Sequence, residues 1–327
     1  MQQKPKADLL MTPSLQDALL DEATKGRLSA VCDWQPIGLP LREDARIILA
    51  SWGTPVLDAN LLNQLPHLEM VAYAAGSIKP IVTDAFWDRN IIVSSAAAAN
   101  AIAVAEYTVA TMVFMAKSVQ RIIRDYADDD TSRFERLHGA PRGFNGLNIG
   151  LVGASHVGRE VMRLLASYDV VVAVCDPYLT SDDAEALGVM KMELDELVSW
   201  ADCVSLHAPQ LPETAKMIGR KQLGLMKYGS YFINTARGTL VDYEALAEIA
   251  PQKAMTVMLD VTDPAEPLPA NHPLRRLENV TITPHIAGSR GNEQQRLGAL
   301  AVAEIERFVS NRPLLHRVRR EDLPRIA

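Results

Sequence analysis

No stripe of lysine and arginine runs through this 327-residue chain, whose net charge is −7 and whose pI lies near 5.6. A nucleic-acid partner is therefore disfavoured, and any anion the chain handles must be held locally. Cysteine is scarce. Cys32, Cys175 and Cys203 lie in apolar, strand-like runs without CxxC spacing, which points to buried thiols in a reducing compartment rather than to disulfides or zinc. The first residues, Met-Gln-Gln-Lys-Pro-Lys-Ala-Asp, lack the apolar core of a signal peptide. Long hydrophobic runs are missing too: Ala101–Ala116, the most apolar long segment, is interrupted by Glu106 and falls short of a bilayer. There is no internal repeat and no low-complexity tract. What remains is a cytoplasmic globular protein with no membrane partner and room for about two domains, each able to bury a core.

The most informative stretch runs from Gly146 to Asp176. The apolar run Ile149–Val152 predicts a buried strand, and Val157, Val161, Leu164 and Leu165 recur at the spacing of an amphipathic helix. A second strand, Val170–Cys175, ends on Asp176. Strand, glycine turn, helix and terminal acid make up the dinucleotide-binding βαβ unit. Gly153 permits the tight turn, the first N–H groups of the helix meet a pyrophosphate, and Gly158 lets helix and strand approach closely. Asp176 is placed to accept from ribose hydroxyls and to repel a 2′-phosphate, which favours NAD over NADP. The position of the second glycine is Ser155, whose hydroxyl could donate to a phosphate oxygen.

Around this unit, short strands alternate with helices, the pattern of parallel sheets. Before it, strands are expected at Leu9–Met11, Ser29–Cys32, Ile47–Ala50, Met70–Tyr73 and Ile91–Val93, with helices at Leu15–Ala23 and Asp58–Gln64. This first part has no phosphate-binding glycine pattern and is the better holder of substrate. Its loop Ala74-Ala75-Gly76-Ser77 follows a strand, and its small residues leave N–H groups accessible to a carboxylate; a plain turn is the alternative. One long, largely apolar helix is expected from Asn100 to about Asp125, buried between domains or subunits. Asp128–Arg142 reads as a loop. Beyond Asp176, strands are expected at Cys203–Leu206, Tyr231–Asn234, Thr256–Leu259 and Val280–Thr283, with helices at Glu193–Trp200 and Tyr243–Ile249. A final helix, about Asn292–Ser310, returns the chain to the first domain.

Successive strand ends carry reactive groups: Arg237 after one, Asp260 and Glu266 after the next, and His285 in Thr283-Pro284-His285 after the last. In an open parallel sheet the carboxyl ends of strands line the ligand crevice. Arg237, Glu266 and His285 are thus expected to converge near a nicotinamide. Each alone has a bland reading, a surface arginine or a structural histidine.

These residues, together with Val104-Ala105-Glu106, Asp176-Pro177-Tyr178, Leu206-His207-Ala208-Pro209, Asn234–Gly238, Leu259-Asp260-Val261, Glu266-Pro267-Leu268-Pro269 and Thr283–Gly288, resemble the D-isomer-specific 2-hydroxyacid dehydrogenase family, which includes phosphoglycerate dehydrogenases and glyoxylate/hydroxypyruvate reductases. The resemblance spans nearly the whole chain. It implies an α/β architecture of two domains, a Rossmann-type NAD-binding domain (residues 100–288, including a dimerisation helix) inserted into a flavodoxin-like substrate-binding domain (1–99 and 289–327). It implies NAD as cofactor, a homodimer and no metal. Cofactor contacts would come from Gly153, Ser155, His156, Val157, Gly158 and Asp176 in the turn unit. Further contacts would come from His207, Pro209, Thr214, Thr235, Ala236 and Asp260. Arg237 would grip the substrate carboxylate, and His285, paired with Glu266, would carry the hydroxyl proton. Trp52, Ala75, Gly76 and Ser77 would complete the substrate contacts.

Three departures bear on function. Ser155 replaces a glycine, and Ala265 is inserted before Glu266, so the loop must bulge if the carboxylate is to reach His285. Where phosphoglycerate dehydrogenases resembling this chain typically carry Arg-Ser-Arg, this chain has Ala50-Ser51-Trp52, which suits an unphosphorylated 2-oxoacid; a Trp52 that merely packs against a hinge is the alternative. A second reading of the whole is an NAD(H)-sensing binding protein, corepressor-like, on the same fold.

Overall fold

The computed structural model describes residues 3–127 and 143–326. The chain divides into two compact units, residues 1–101 with 289–327, and residues 102–288. In the first, strands β1 (Lys6–Leu10), β2 (Asp33–Gln35), β3 (Ile47–Ala50), β4 (Met70–Tyr73) and β5 (Ile92–Ser95) lie parallel in the order β5-β4-β3-β1-β2. That is the flavodoxin-like order. A late two-residue strand, Arg317–Val318, pairs antiparallel with β5.

Two helices of this unit differ from expectation. Ser29–Cys32 is not a strand: Glu22–Val31 is a helix, with the Asp21 carboxylate accepting from Thr24 N–H at 2.8 Å as its cap. The expected helix Leu15–Ala23 is correspondingly split into Pro13–Leu19 and this second helix. Their apolar faces are closed by the late helix Gln294–Val309, whose Leu297, Ala301, Val302 and Ile305 share one core layer with Leu19, Leu20 and Leu28. The approach is backbone to backbone: a Cβ on Gly298 would stand 1.9 Å from the Leu19 carbonyl oxygen.

The second unit holds β6 (Asn148–Val152), β7 (Val171–Cys175), β8 (Met190–Lys191), β9 (Cys203–Leu206), β10 (Tyr231–Asn234), β11 (Thr256–Leu259) and β12 (Val280–Ile282). All pair in parallel in the order β12-β11-β10-β9-β6-β7-β8, the Rossmann order with β12 added at one edge. Helices cover both faces. Phe232 and Val204 therefore belong to one core layer while Tyr231, Ile233 and Cys203 belong to the other, which is why these strands read as unbroken apolar runs.

The long apolar helix starts earlier and ends sooner than expected, at Ala97–Ala116, and a second helix, Val119–Ala127, follows Ser118, whose φ of 54° breaks the first. By length and composition alone the 20-residue helix could cross a membrane. Its Ala105, Val109, Met112 and Met115 instead join a core layer of the second unit. The expected loop Asp128–Arg142 lies outside the described residues. Of the thiols, Cys32 and Cys203 are buried but Cys175 is only half-buried. Burial pushes Cys32 up to about 12 and Cys175 to about 11, so neither is a ready nucleophile.

Candidate active site

The glycine turn sits between β6 and the helix His156–Leu165. Gly153 has a φ of 106°, and a Cβ there would lie 2.6 Å from Ala208 N. A Cβ on Gly158 would lie 2.2 Å from the Gly153 carbonyl oxygen, so the helix can rest on the turn only because no side chain intervenes. Ser155 is the helix cap, its Oγ accepting from Gly158 N–H at 3.4 Å. Since that bond uses only a lone pair, the hydroxyl proton remains available to donate. His156 and Val157 occupy the first helical positions, where N–H groups have no intrahelical acceptor.

Asp176 closes β7 half-buried. Its Oδ2 accepts from Ala154 N–H at 2.7 Å and its Oδ1 from Tyr178 N–H at 2.8 Å, which fixes the carboxylate against the turn and leaves lone pairs for further donors. Arg159 Nε donates to the Ala154 carbonyl at 3.1 Å, a cation at the turn that sequence reasoning passed over.

His207, after β9, is 4% exposed and neither ring nitrogen has a hydrogen-bond partner. Burial pushes its pKa down to about 3, so the ring is neutral. In the loop that follows, Thr214 Oγ1 donates to the Pro209 carbonyl at 2.7 Å and accepts from Leu211 N–H at 2.9 Å; its hydroxyl clasps the loop. Thr235 is buried after β10 and donates to Thr108 Oγ1 at 3.1 Å, because Thr108 spends its own proton on the Val104 carbonyl. Asn234, which sequence reasoning did not single out, brackets the residues two and three further on: Ala236 N–H donates to its Oδ1 at 3.0 Å, and its Nδ2 donates to the Arg237 carbonyl at 2.9 Å.

The structure brings Glu266 to His285. Glu266 Oε2 lies 2.8 Å from His285 Nδ1. A carboxylate only accepts, so Nδ1 carries the proton and this contact leaves Nε2 uncommitted. The inserted Ala265 is absorbed locally: Thr262 Oγ1 donates to the Ala265 carbonyl at 2.6 Å while Thr262 N–H donates to Glu266 Oε1 at 3.0 Å. Burial pushes the Arg237 guanidinium below its ordinary value, and the charge of Glu266 pulls it back. A cavity of about 620 Å³ opens beside the pair, walled also by Thr262, Leu268, Arg275, Val280 and Ile282.

Asp260 is 1% exposed and faces inward. Its Oδ1 accepts from Thr283 Oγ1 and Ile286 N–H, at 2.6 and 2.7 Å, and its Oδ2 from Ala287 N–H at 2.9 Å. It anchors the histidine loop.

In the first unit, Ser51 Oγ at the end of β3 donates to the Ala74 carbonyl at 2.9 Å, tying the neighbouring strand ends together. Ser95 Oγ and Ala96 N–H take the Ala75 carbonyl at 3.3 and 3.0 Å, and Ser77 Oγ accepts from Lys79 N–H at 3.4 Å. Ala75 is buried, Gly76 and Ser77 are half-buried, and Trp52 keeps 36% of its surface exposed.

Residues 109–287 match the family model described as D-isomer specific 2-hydroxyacid dehydrogenase, NAD binding domain. The chain is 31% identical over 280 residues to a glyoxylate reductase of Thermofilum pendens, covering 84% of this chain and 82% of that one. It is 31% identical over 263 residues to a D-3-phosphoglycerate dehydrogenase of Archaeoglobus fulgidus, covering 80% of this chain and 49% of that one, so it spans about half the length of that relative. Its fold is similar to that of the D-mandelate dehydrogenase of Rhodotorula graminis, with a TM-score of 0.82 at 23% identity over 97% of this chain and 98% of that one. The chain belongs to the D-isomer-specific 2-hydroxyacid dehydrogenase family.

Proposed function

We propose that the chain is an NAD-dependent oxidoreductase moving a hydride between the nicotinamide and C2 of a D-2-hydroxyacid or 2-oxoacid, acting chiefly as a 2-oxoacid reductase. The observation that carries this is the Glu266–His285 pair at 2.8 Å, on the unit that bears the glycine turn. A nucleotide sensor has no use for such a pair, which favours catalysis over the corepressor-like reading. Residues 100–288 are assigned to cofactor binding, and 1–99 with 289–327 to substrate binding.

The residues of the turn suit a dinucleotide. Ser155, Val157 and Gly158 would face the pyrophosphate, and the lone pairs left on Asp176 would take the ribose hydroxyls. Bound there, NADH supplies the hydride. Arg237, whose backbone carbonyl Asn234 holds, would grip the carboxylate and polarise the carbonyl at C2. His285 would pass its Nε2 proton to that oxygen and end neutral, Glu266 stabilising the charged ring before the transfer. Thr214, Thr235 and Asp260, whose side chains are engaged within the protein, would shape the site, whereas the neutral His207 ring, with neither nitrogen partnered, would have an N–H to offer the cofactor.

A negative Asp176 where a 2′-phosphate would sit costs about 1–4 kcal/mol, so NADH is expected to be used with about tenfold or greater kcat/KM than NADPH. Steady-state kinetics with both cofactors check this. Equal efficiencies would overturn the role given to Asp176.

The substrate is proposed to be unphosphorylated. Phosphate prefers charge-assisted donors, and the exposed indole of Trp52 offers one neutral N–H and an apolar face. Glyoxylate, hydroxypyruvate or a larger apolar 2-oxoacid should therefore give a higher kcat/KM than 3-phosphohydroxypyruvate, and Trp52→Arg should narrow the gap. If phosphohydroxypyruvate is the best wild-type substrate, the reading of Trp52 fails.

A cytoplasmic location and a homodimer complete the proposal. Phe114 and Ile123, 58% and 62% exposed on the two consecutive helices after Ala97, offer apolar surface for a second copy.

A further inference from the structure

Tyr107 lies on the helix Ala97–Ala116 and takes no part in the chemistry above. Its Oη stands 3.1 Å from Thr283 Oγ1, and Thr283 Oγ1 in turn donates to Asp260 Oδ1 at 2.6 Å. A threonine hydroxyl has one proton, and a carboxylate can only accept. Thr283 therefore spends its proton on Asp260; the Tyr107 hydroxyl also stands 3.9 Å from Met258 Sδ, but a thioether is a weak acceptor, so the tyrosine proton goes to the threonine oxygen. Burial pushes the tyrosine hydroxyl above its ordinary pKa and the charge of Asp260 adds to this, so the donor keeps its proton.

At the other end of this chain is the histidine loop. His285 N–H donates to the Asp260 carbonyl at 2.9 Å, while Ile286 and Ala287 N–H groups hold the Asp260 carboxylate. His285 itself has a φ of 54°, a left-handed conformation that residues with a Cβ seldom adopt unless their surroundings impose it. The Asp260 anchor is what imposes it here, and the orientation of Thr283 toward that anchor depends on what else Thr283 can bond.

We infer that Tyr107 is a positioning residue for His285: by donating to Thr283 it commits the threonine proton to Asp260, and so holds the loop that presents His285 to Glu266. The effect on turnover rests on the dehydrogenase reading; the effect on the histidine does not.

The test compares Tyr107→Phe, Thr283→Ser, Thr283→Val and the Tyr107→Phe/Thr283→Val double variant. Tyr107→Phe keeps the ring and should lower kcat for a 2-oxoacid about two- to tenfold, the range set by one uncharged hydrogen bond, with the KM for NADH unchanged. Thr283→Ser preserves both bonds and should keep wild-type kcat, whereas Thr283→Val should lose at least as much as Tyr107→Phe. The double variant should be no slower than Thr283→Val, since the tyrosine acts only through that hydroxyl. Wild-type kcat in Tyr107→Phe, additive losses in the double variant, or a rise in NADH KM matching the fall in kcat would each overturn the inference. A second readout needs no turnover: the His285 ring resonance in histidine-labelled protein, identified by its loss in His285→Gln, should move in Tyr107→Phe. Should the wild type reduce no 2-oxoacid, the dehydrogenase reading fails and this resonance decides alone, a shift supporting the positioning role and an unmoved signal refuting it.

Discussion

Replacing His285 with alanine is expected to lower kcat by about 10²–10⁴, the range for losing a general acid, with the KM for NADH close to wild type. The geometry makes the expectation specific. Nδ1 is committed to Glu266 Oε2 at 2.8 Å, so on the proposed mechanism Nε2 is the atom left to transfer a proton. Glu266→Gln should cost less, about 10- to 100-fold, because a charge-assisted hydrogen bond is lost while the ring that moves the proton remains. Following NADH consumption in the two variants separates these roles. A His285→Ala enzyme with wild-type turnover would mean that another group carries the proton.

The second large effect is on acid stability, through His207. Burial holds its folded-state pKa near 3, against an ordinary value of about 6.5. The folded state therefore excludes a proton that the unfolded chain binds. The stability this contributes is fully present above the ordinary value and is lost progressively as pH falls from there toward 3. At pH 4.5, about two units into that window, linkage puts the loss at about 3 kcal/mol. His207→Leu removes the titrating group without opening the space. Urea unfolding of both proteins at pH 7.5 and pH 4.5 should show the wild type losing about 3 kcal/mol more than the variant across that interval. Equal losses would mean that the folded protein admits the proton at His207.

Much of the architecture is readable in the chain because burial on both sheet faces writes itself as uninterrupted apolar sequence. Ile47–Ala50, Met70–Tyr73, Cys203–Leu206, Tyr231–Asn234 and Thr256–Leu259 are strands at the expected bounds. Ser29–Cys32 has the same short β-prone look, but a cap at Asp21 and the distant helix Gln294–Val309 make it helical; no local pattern carries that second term. The break at Ser118 is equally hidden, since neither glycine nor proline marks it. In the second unit, Arg237, Glu266 and His285 were legible because each follows a strand end in a parallel sheet. Ser155 caps the helix by accepting from Gly158 N–H, which leaves its hydroxyl proton to donate. The inward turn of Asp260, the bracket made by Asn234 and the link from Tyr107 to Thr283, 176 residues apart, depend on tertiary placement and leave no trace in spacing.

The backbone contact between Gly298 and Leu19 also sets an order of events during synthesis. Residues 1–101 emerge first, yet the helix that covers Leu19, Leu20 and Leu28 is made only after the whole of 102–288. Until then those leucines have no lid, and the nascent segment offers an apolar surface to chaperones and to other chains. The second unit is continuous in sequence, so its own core waits for no later segment. The helix Gln294–Val309 is thus the last element added to this core layer of the first unit, and a chain that stopped short of it would leave that layer uncovered.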